Sequence, residues 1–201
     1  MSHMSNDVKL DQFNEFFSIE HPFHINIVQL NNHSNITYTE FITHMPTPFK
    51  LANDINTLDQ AALAPLGTLS GVAAQLVQYL NHQTQKIDLL VNHILSEQDN
   101  EQDRYQGIAF GGGGIEFVHD TAFTLNEIIE LKIFLTHENC AIYSHAEIIN
   151  IENINNFFRH KVIFRHIRED DREKLVRSSL HIQSRQLQEL AKERNKQSHE
   201  E

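Results

Sequence analysis

The sequence predicts an α+β protein. A small antiparallel six-stranded barrel is interrupted by a long inserted helix and followed by a C-terminal helix. Three observations predict it. Short runs rich in β-branched and aromatic residues lie on both sides of residues 58–98. A seven-residue apolar repeat fills the stretch between them, and clustered carboxylates open a final helical stretch at 168–195. Period-two alternation marks half-buried strands, whereas a sustained heptad marks a helix that packs on other helices.

The elements follow in chain order. Residues 8–23, "VKLDQFNEFFSIEHPF", group Phe13, Phe16 and Phe17 in a short amphipathic turn or helix. "HINIVQL" (24–30) alternates Ile25 with Ile27 and reads as a strand. After the turn "NNHSN", "ITYTEFITHM" (36–45) is rich in β-formers and reads as a second strand, which "PTPF" (46–49) breaks. Residues 8–57 are thus expected to supply the N-terminal strands of the barrel.

From 58 to 98 the period changes. Leu66, Ala73, Leu80, Ile87 and Ile94 recur every seven residues, and Leu69, Leu76, Gln83 and Leu90 recur three places later. Eight of these nine core positions are apolar, the signature of a coiled coil. Pro65 suits a first helical turn, where its missing N–H has no intrahelical partner. A single helix of about 38 residues would span roughly 57 Å. That is longer than a small barrel is wide, so its own domain cannot cover the stripe. The flanks add Val72, Val77, Tyr79 and Val91, and so broad a face favours three or four helices, or a dimer whose helices also pack on a barrel. Gln83 in the seam costs stability but can fix register and oligomer number, as a lone core Asn does. The region is therefore expected to oligomerise the chain.

Residues 104–168 hold four more strand-like runs, at 105–118, 127–135, 141–151 and 157–167, with short polar breaks that suggest a meander. Residues 169–195 close the chain as a helix. Its acidic first turn suits the positive end of the helix dipole, and Val176, Leu180, Leu187 and Leu190 form one stripe.

Composition excludes several functions. Residues 1–103 carry three lysines and no arginine against twelve carboxylates, a net −9. The whole 201-residue chain is at −11, with no basic stripe to neutralise nucleic-acid phosphates. No apolar run is long enough for a membrane span, and no N-terminal stretch has the pattern of a signal peptide. The one cysteine, Cys140, forms no internal disulfide; with the missing leader this leads us to expect a cytoplasmic protein. Fourteen histidines show neither zinc-type spacing nor H-E-x-x-H, so no metal site is expected. Ser144 and His145 are adjacent in a strand and point to opposite faces, poor geometry for a nucleophile and its base. No catalytic constellation emerges, and the protein is read as a non-enzyme.

"GIAFGGGGIEF" (107–117) remains. A phosphate-binding P-loop needs Lys and Ser or Thr after its last glycine, but Ile115-Glu116-Phe117 follow here. A dinucleotide fingerprint needs a helix opening at the glycines, and "IEFVHD" reads as strand. Glycine runs in strands mark bends or the close approach of another backbone, so a bulged or tightly bent strand is expected.

This stretch, the strands after it and "VIFRHIREDDREKLVR" at the exit resemble the PilZ domain family. The resemblance covers about half the chain and implies a six-stranded barrel with a C-terminal helix. Typical members bind cyclic di-GMP through an R-x-x-x-R ahead of the barrel and a D/N-x-S-x-x-G on a strand. Setting the last glycine of the second motif at Gly114 puts Ala109 in the Asp/Asn place and Gly111 in the Ser place. No R-x-x-x-R precedes the barrel, because Arg104 is the first arginine in the chain. Arg168 and Arg172 have the spacing but sit at the exit. The resemblance therefore implies a degenerate ligand strand. The protein is expected to be a signalling scaffold without a cofactor, resembling atypical PilZ proteins that assemble as tetramers through a heptad helix. A tetramer is favoured over a dimer, and protein partners in motility, secretion or virulence are implied. The alternative is a cyclic di-GMP receptor with an unconventional site around Arg104, Ala109, Gly111 and Gly114.

Overall fold

The computed structural model describes residues 6–15, 18–30, 36–63, 66, 71–138 and 140–197. In chain order the elements are α1 (Asn6–Glu15), β1 (Ser18–Gln29), α2 (Tyr38–His44), α3 (Thr47–Leu63) and α4 (Val72–Ser96). Then come β2 (Arg104–Gly111), β3 (Gly114–His119), β4 (Ile128–Leu135), β5 (Cys140–Ile154), β6 (Phe157–His166) and α5 (Glu169–Gln197). The strands close into an antiparallel barrel in the order β1-β2-β3-β6-β5-β4, and β1 pairs with both β2 and β4.

Six strands were expected, but their division along the chain differs. Residues 36–45 form helix α2 rather than a strand. The deciding signal is "TYTE" at 37–40, a capping box. The Thr37 hydroxyl accepts the Glu40 N–H, and the Glu40 carboxylate accepts the Thr37 N–H at 2.8 Å. Phe41 and Met45, one helical turn apart, then bury together with Phe49, Leu95, Phe134 and Tyr143. Tertiary burial overrides the β-propensity of the segment. Residues 8–57 thus contribute one strand, and the missing one comes from the glycine run. That run is a hairpin: β2 ends at Gly111, β3 starts at Gly114, and Gly112–Gly113 turn between them.

The long helix divides as well. Residues 58–98 are not one helix but parts of α3 and α4, and Gly71 caps α4 with φ +67°, in the left-handed region where glycine is favoured. Phe49 and Ala52 near the start of α3 share a cluster with Val91 and Leu95 near the end of α4, so the two helices run back against each other. Pro65 and Leu69 lie outside the described residues, and Leu66 lies between the helices.

A simple meander does not form either. β4, β5 and β6 are sequential neighbours, but β3 pairs with β6, so residues 120–127 cross the barrel end to reach β4. Phe123 on this crossing packs edge-on against Phe117 and His160. The interior is filled by alternate residues of all six strands, among them Ile25, Phe110, Ile115, Leu131, Ile142 and Val162. His160 is fully buried there, stacked on Phe117 at 4.8 Å, and its Nε2 accepts the Phe123 N–H. That bond requires a neutral ring with its proton on the other nitrogen. Burial, helped by neighbouring His119, lowers its pKa from the usual 6.5 to about 4.

Two expectations follow from this packing. A Cβ on Gly114 would lie 1.9 Å from the Val162 carbonyl oxygen on β6, whereas one on Gly107 would meet the Phe23 ring at 2.3 Å. A side chain can shift where a paired backbone cannot. Gly114→Ala should therefore destabilise the fold by about 3 kcal/mol or more, and Gly107→Ala by about 1–3; urea unfolding checks the order.

His160 makes stability depend on pH with a defined sign. The folded state disfavours its proton, so its contribution is complete above pH 6.5. It is lost as pH falls toward 4, at up to about 1.4 kcal/mol per unit. His160→Phe should flatten the unfolding midpoint over this window. An unchanged slope would show that other groups govern it.

Candidate functional site

The surface on which the resemblance places a ligand is the outer face of β2, β3 and β6. Ala109 on β2 stands opposite Glu116 on β3, and Gly111 pairs with Ser18 on β1. Since Phe110, Ile115 and Phe117 fill the interior, Ala109 and Glu116 take the outer side. Both are nonetheless buried. The Glu116 carboxylate accepts from Arg159 Nε at 2.7 Å and lies 3.2 Å from Lys161 Nζ, both on β6. Glu147 on β5 is paired with Lys9 of α1 and faces Arg165 at 3.6 Å. The cations of this face are thus already matched to carboxylates.

Helix α1 lies over the same face. Lys9 reaches Glu147 and Asn126, and the Lys161 ammonium sits 4.8 Å from the centre of the Phe13 ring. A Cβ on Gly114 would also touch Phe13. The glycine there permits contact with α1 and β6 within the chain.

Arg104 stands elsewhere. It begins β2 opposite Asn26, seven residues before Gly111, roughly 23 Å along a strand. Its Nε donates to Asp99 at 3.0 Å, and Glu101 lies 3.8 Å away. The bond to Asp99 raises the guanidinium pKa further. Asp99 also accepts from Asn26 and faces His24. Arg104 does not converge with Ala109, Gly111 and Gly114, so the four candidate ligand residues form no single pocket.

Arg168 and Arg172, which have the R-x-x-x-R spacing, serve the architecture. Arg168 donates to the buried Asp171 carboxylate at 2.7 Å and to the Phe49 carbonyl at 2.9 Å, tying α3 to the exit of the barrel. Arg172 donates to the Gly112 carbonyl and so fastens α5 to the glycine turn.

The heptad positions behave differently. On α4, Leu76 and Leu90 are 61% and 65% exposed, and Ile87 and Ile94 are exposed as well. Ala73, Leu80 and Gln83 are half-buried. Only Leu95, off the stripe, is buried against the body of the chain among the described α4 side chains. On α5 the barrel takes Leu175, Ser178, Ser179 and Ile182, whereas Val176, Leu180, Leu187 and Leu190 are exposed.

Between the α3–α4 pair, the start of β5 and α5 lies an open cleft of about 700 Å³. Cys140 lines it, and burial pushes the thiol up to about 12, so almost no thiolate forms at neutral pH. Among the described residues no three His, Cys, Asp or Glu side chains gather as a metal cage, and no helix is long and apolar enough to cross a membrane.

Sequence reasoning missed the ion pairs of the outer face. Their signal was present: Arg159 and Lys161, two apart, share one side of a strand, and Glu116 lies on the neighbouring strand. The role of α1 left no comparable trace.

No family profile matches the chain, and no curated protein sequence does. Solved structures do. A pathogenic protein from Xanthomonas campestris, a tetrameric PilZ domain self-assembled through an unusual helical bundle, aligns over 89% of this chain and 96% of its own. The TM-score is 0.52 at 12% identity. The Bacillus subtilis inhibitor of motility is 22% identical over 41% of this chain, with a TM-score of 0.39; the match spans 42% of that protein. The PilZ domain of YcgR from Escherichia coli, solved with cyclic di-GMP, is 14% identical over 46% of this chain and 82% of its own, at 0.37. The Xanthomonas alignment shows the fold: a PilZ-type barrel with added helices.

Proposed function

We propose that this PilZ-fold chain is a non-enzymatic signalling scaffold. It self-associates through α4, holds protein partners and has lost cyclic di-GMP binding. The observation that carries the reading is the exposed heptad stripe of α4. Leu76, Ile87, Leu90 and Ile94 stand in solvent on one helix face, and a contiguous apolar face of this kind is an association site. The Xanthomonas protein of the same fold assembles as a tetramer through a helical bundle, which favours a tetramer here too. The partners implied by the resemblance are proteins of motility, secretion or virulence signalling in a bacterial cytoplasm.

Loss of the nucleotide rests on the outer barrel face. A dianionic ligand would have to displace Glu116 and Glu147 from the cations they hold and would find Ala109 and glycines where polar groups are needed. Each missing charge-assisted contact removes roughly 1.5–3 kcal/mol.

Calorimetric titration with cyclic di-GMP should give no saturable heat at micromolar concentrations. An isotherm with micromolar affinity would defeat the scaffold reading in favour of a receptor with an unconventional site.

Light scattering at low micromolar concentration should report several times the 23.3 kDa chain mass. Leu76→Asp with Leu90→Asp should return it to the monomer, because charges in an apolar seam cannot be paired. Both positions are exposed in the single chain, so folding should be unaffected. A monomeric parent protein would end the self-association reading.

A further inference from the structure

The exposed stripe of α5 is spelled like that of α4. On α4 the sequence places Leu76, Leu80, Gln83, Ile87 and Leu90; on α5 it places Val176, Leu180, Gln183, Leu187 and Leu190 at the same spacing. Each stripe holds one polar residue, a glutamine in the third of its five places. Both glutamines are half-buried, and seven of the eight apolar members are exposed, Leu80 alone being half-buried. The two stripes do not meet within one chain. The facing sides of α4 and α5 line the cleft with Asp88, Leu89 and Asn92 on one side and Lys174, Arg177 and His181 on the other. No stripe residue lines that cleft.

We propose that α5 of one copy packs in parallel on α4 of a second copy, with Gln183 opposite Gln83. The proposal rests on self-association through α4 and names what the α4 stripe receives. Register argues for it. All five places coincide only when the helices run in the same direction; reversed, at most four do. Reversed, a core position of one kind meets the other kind, and each glutamine faces a leucine or isoleucine. In the parallel seam the two side-chain amides satisfy one another, as a buried polar pair requires.

Charge argues against α5 pairing with itself. One step before Val176 in the repeat is Glu173, an exposed carboxylate; a parallel α5–α5 seam would set two of them face to face. The equivalent α4 position is Ala73, which leaves Glu173 without a like-charged neighbour in the seam. Each copy offers one stripe of each kind, so the contact can repeat from copy to copy and close as a ring of four, as a tetramer requires.

Cross-linking tests it. Chains carrying Cys140→Ser receive one cysteine each at exposed or half-exposed stripe positions, are co-expressed in differently sized tagged forms, and are oxidised. Parallel seating brings opposed positions within disulfide range, Cα atoms about 4.4–6.8 Å apart. Gln83→Cys should link to Gln183→Cys, and Leu76→Cys to Val176→Cys, with the mixed dimer as the dominant band on a non-reducing gel. Leu76→Cys with Leu190→Cys should not link. If position 83 links only to position 83, α4 associates with itself, and the α5 assignment is overturned while self-association stands. If nothing links and the scattering mass is that of a monomer, both fall. Circular dichroism matched to the parent establishes that each variant is folded.

Discussion

The buried carboxylate of Asp171 is the constraint on which the arrangement of the chain depends. It is fully enclosed at the start of α5, and an ionised group there must be paired. Arg168 and Lys174 pair it from one turn away on either side. Once held by Asp171, Arg168 is oriented to donate to the Phe49 carbonyl, which locks α3 against the barrel. One residue further, Arg172 reaches the Gly112 carbonyl. Three parts of the chain therefore meet at one helical turn: the glycine hairpin, the α3–α4 pair and α5. Removing one member of such a pair leaves an uncompensated charge, which typically costs about 3–5 kcal/mol.

This anchoring gives the two arginines a spacing that resembles a phosphate-binding motif, but their guanidinium groups are committed within the chain. The outer barrel face follows the same economy. Glu116 and Glu147 engage Arg159, Lys161, Arg165 and Lys9, and Phe13 covers the Lys161 ammonium. Cations that could hold phosphate instead hold α1 and the strands together.

Much of the barrel was legible in the sequence because strands carry a local signal. Alternation located β1, β4, β5 and β6, and the heptad located α4. Failures came where one local signal outweighed another. In residues 36–45, β-branched and aromatic residues masked the Thr37–Glu40 capping box, and the gain from burying Phe41 and Met45 cannot be read from the segment alone. The division of the long helix was marked by Gly71, but the heptad spacing of Leu66 and Leu69 ran across the break and concealed it. Glycines 111–114 were expected as a bent strand and form a hairpin whose tightness depends on Val162, almost fifty residues away. That this strand carries Ala109 and Gly111 in place of the motif's polar residues was legible. What occupies its face was not, because ion pairs between β3, β5, β6 and α1 depend on strand order, and β3 next to β6 is a crossover that no local pattern announces.

The fold thus separates two kinds of surface by chemistry. On the barrel, charged groups lie close enough to their partners across the strands to be neutralised without leaving the chain. On α4 and α5, one stripe of each helix that its own domain does not cover is apolar, and a helix with the same spacing would cover it without stranding a polar group. The positions of Gln83 and Gln183 sharpen this condition. A glutamine facing leucine in a closed seam loses its hydrogen bonds to water and gains none, whereas a glutamine facing glutamine recovers them. Under the proposed assembly, the cost of that mismatch would restrict association to one register.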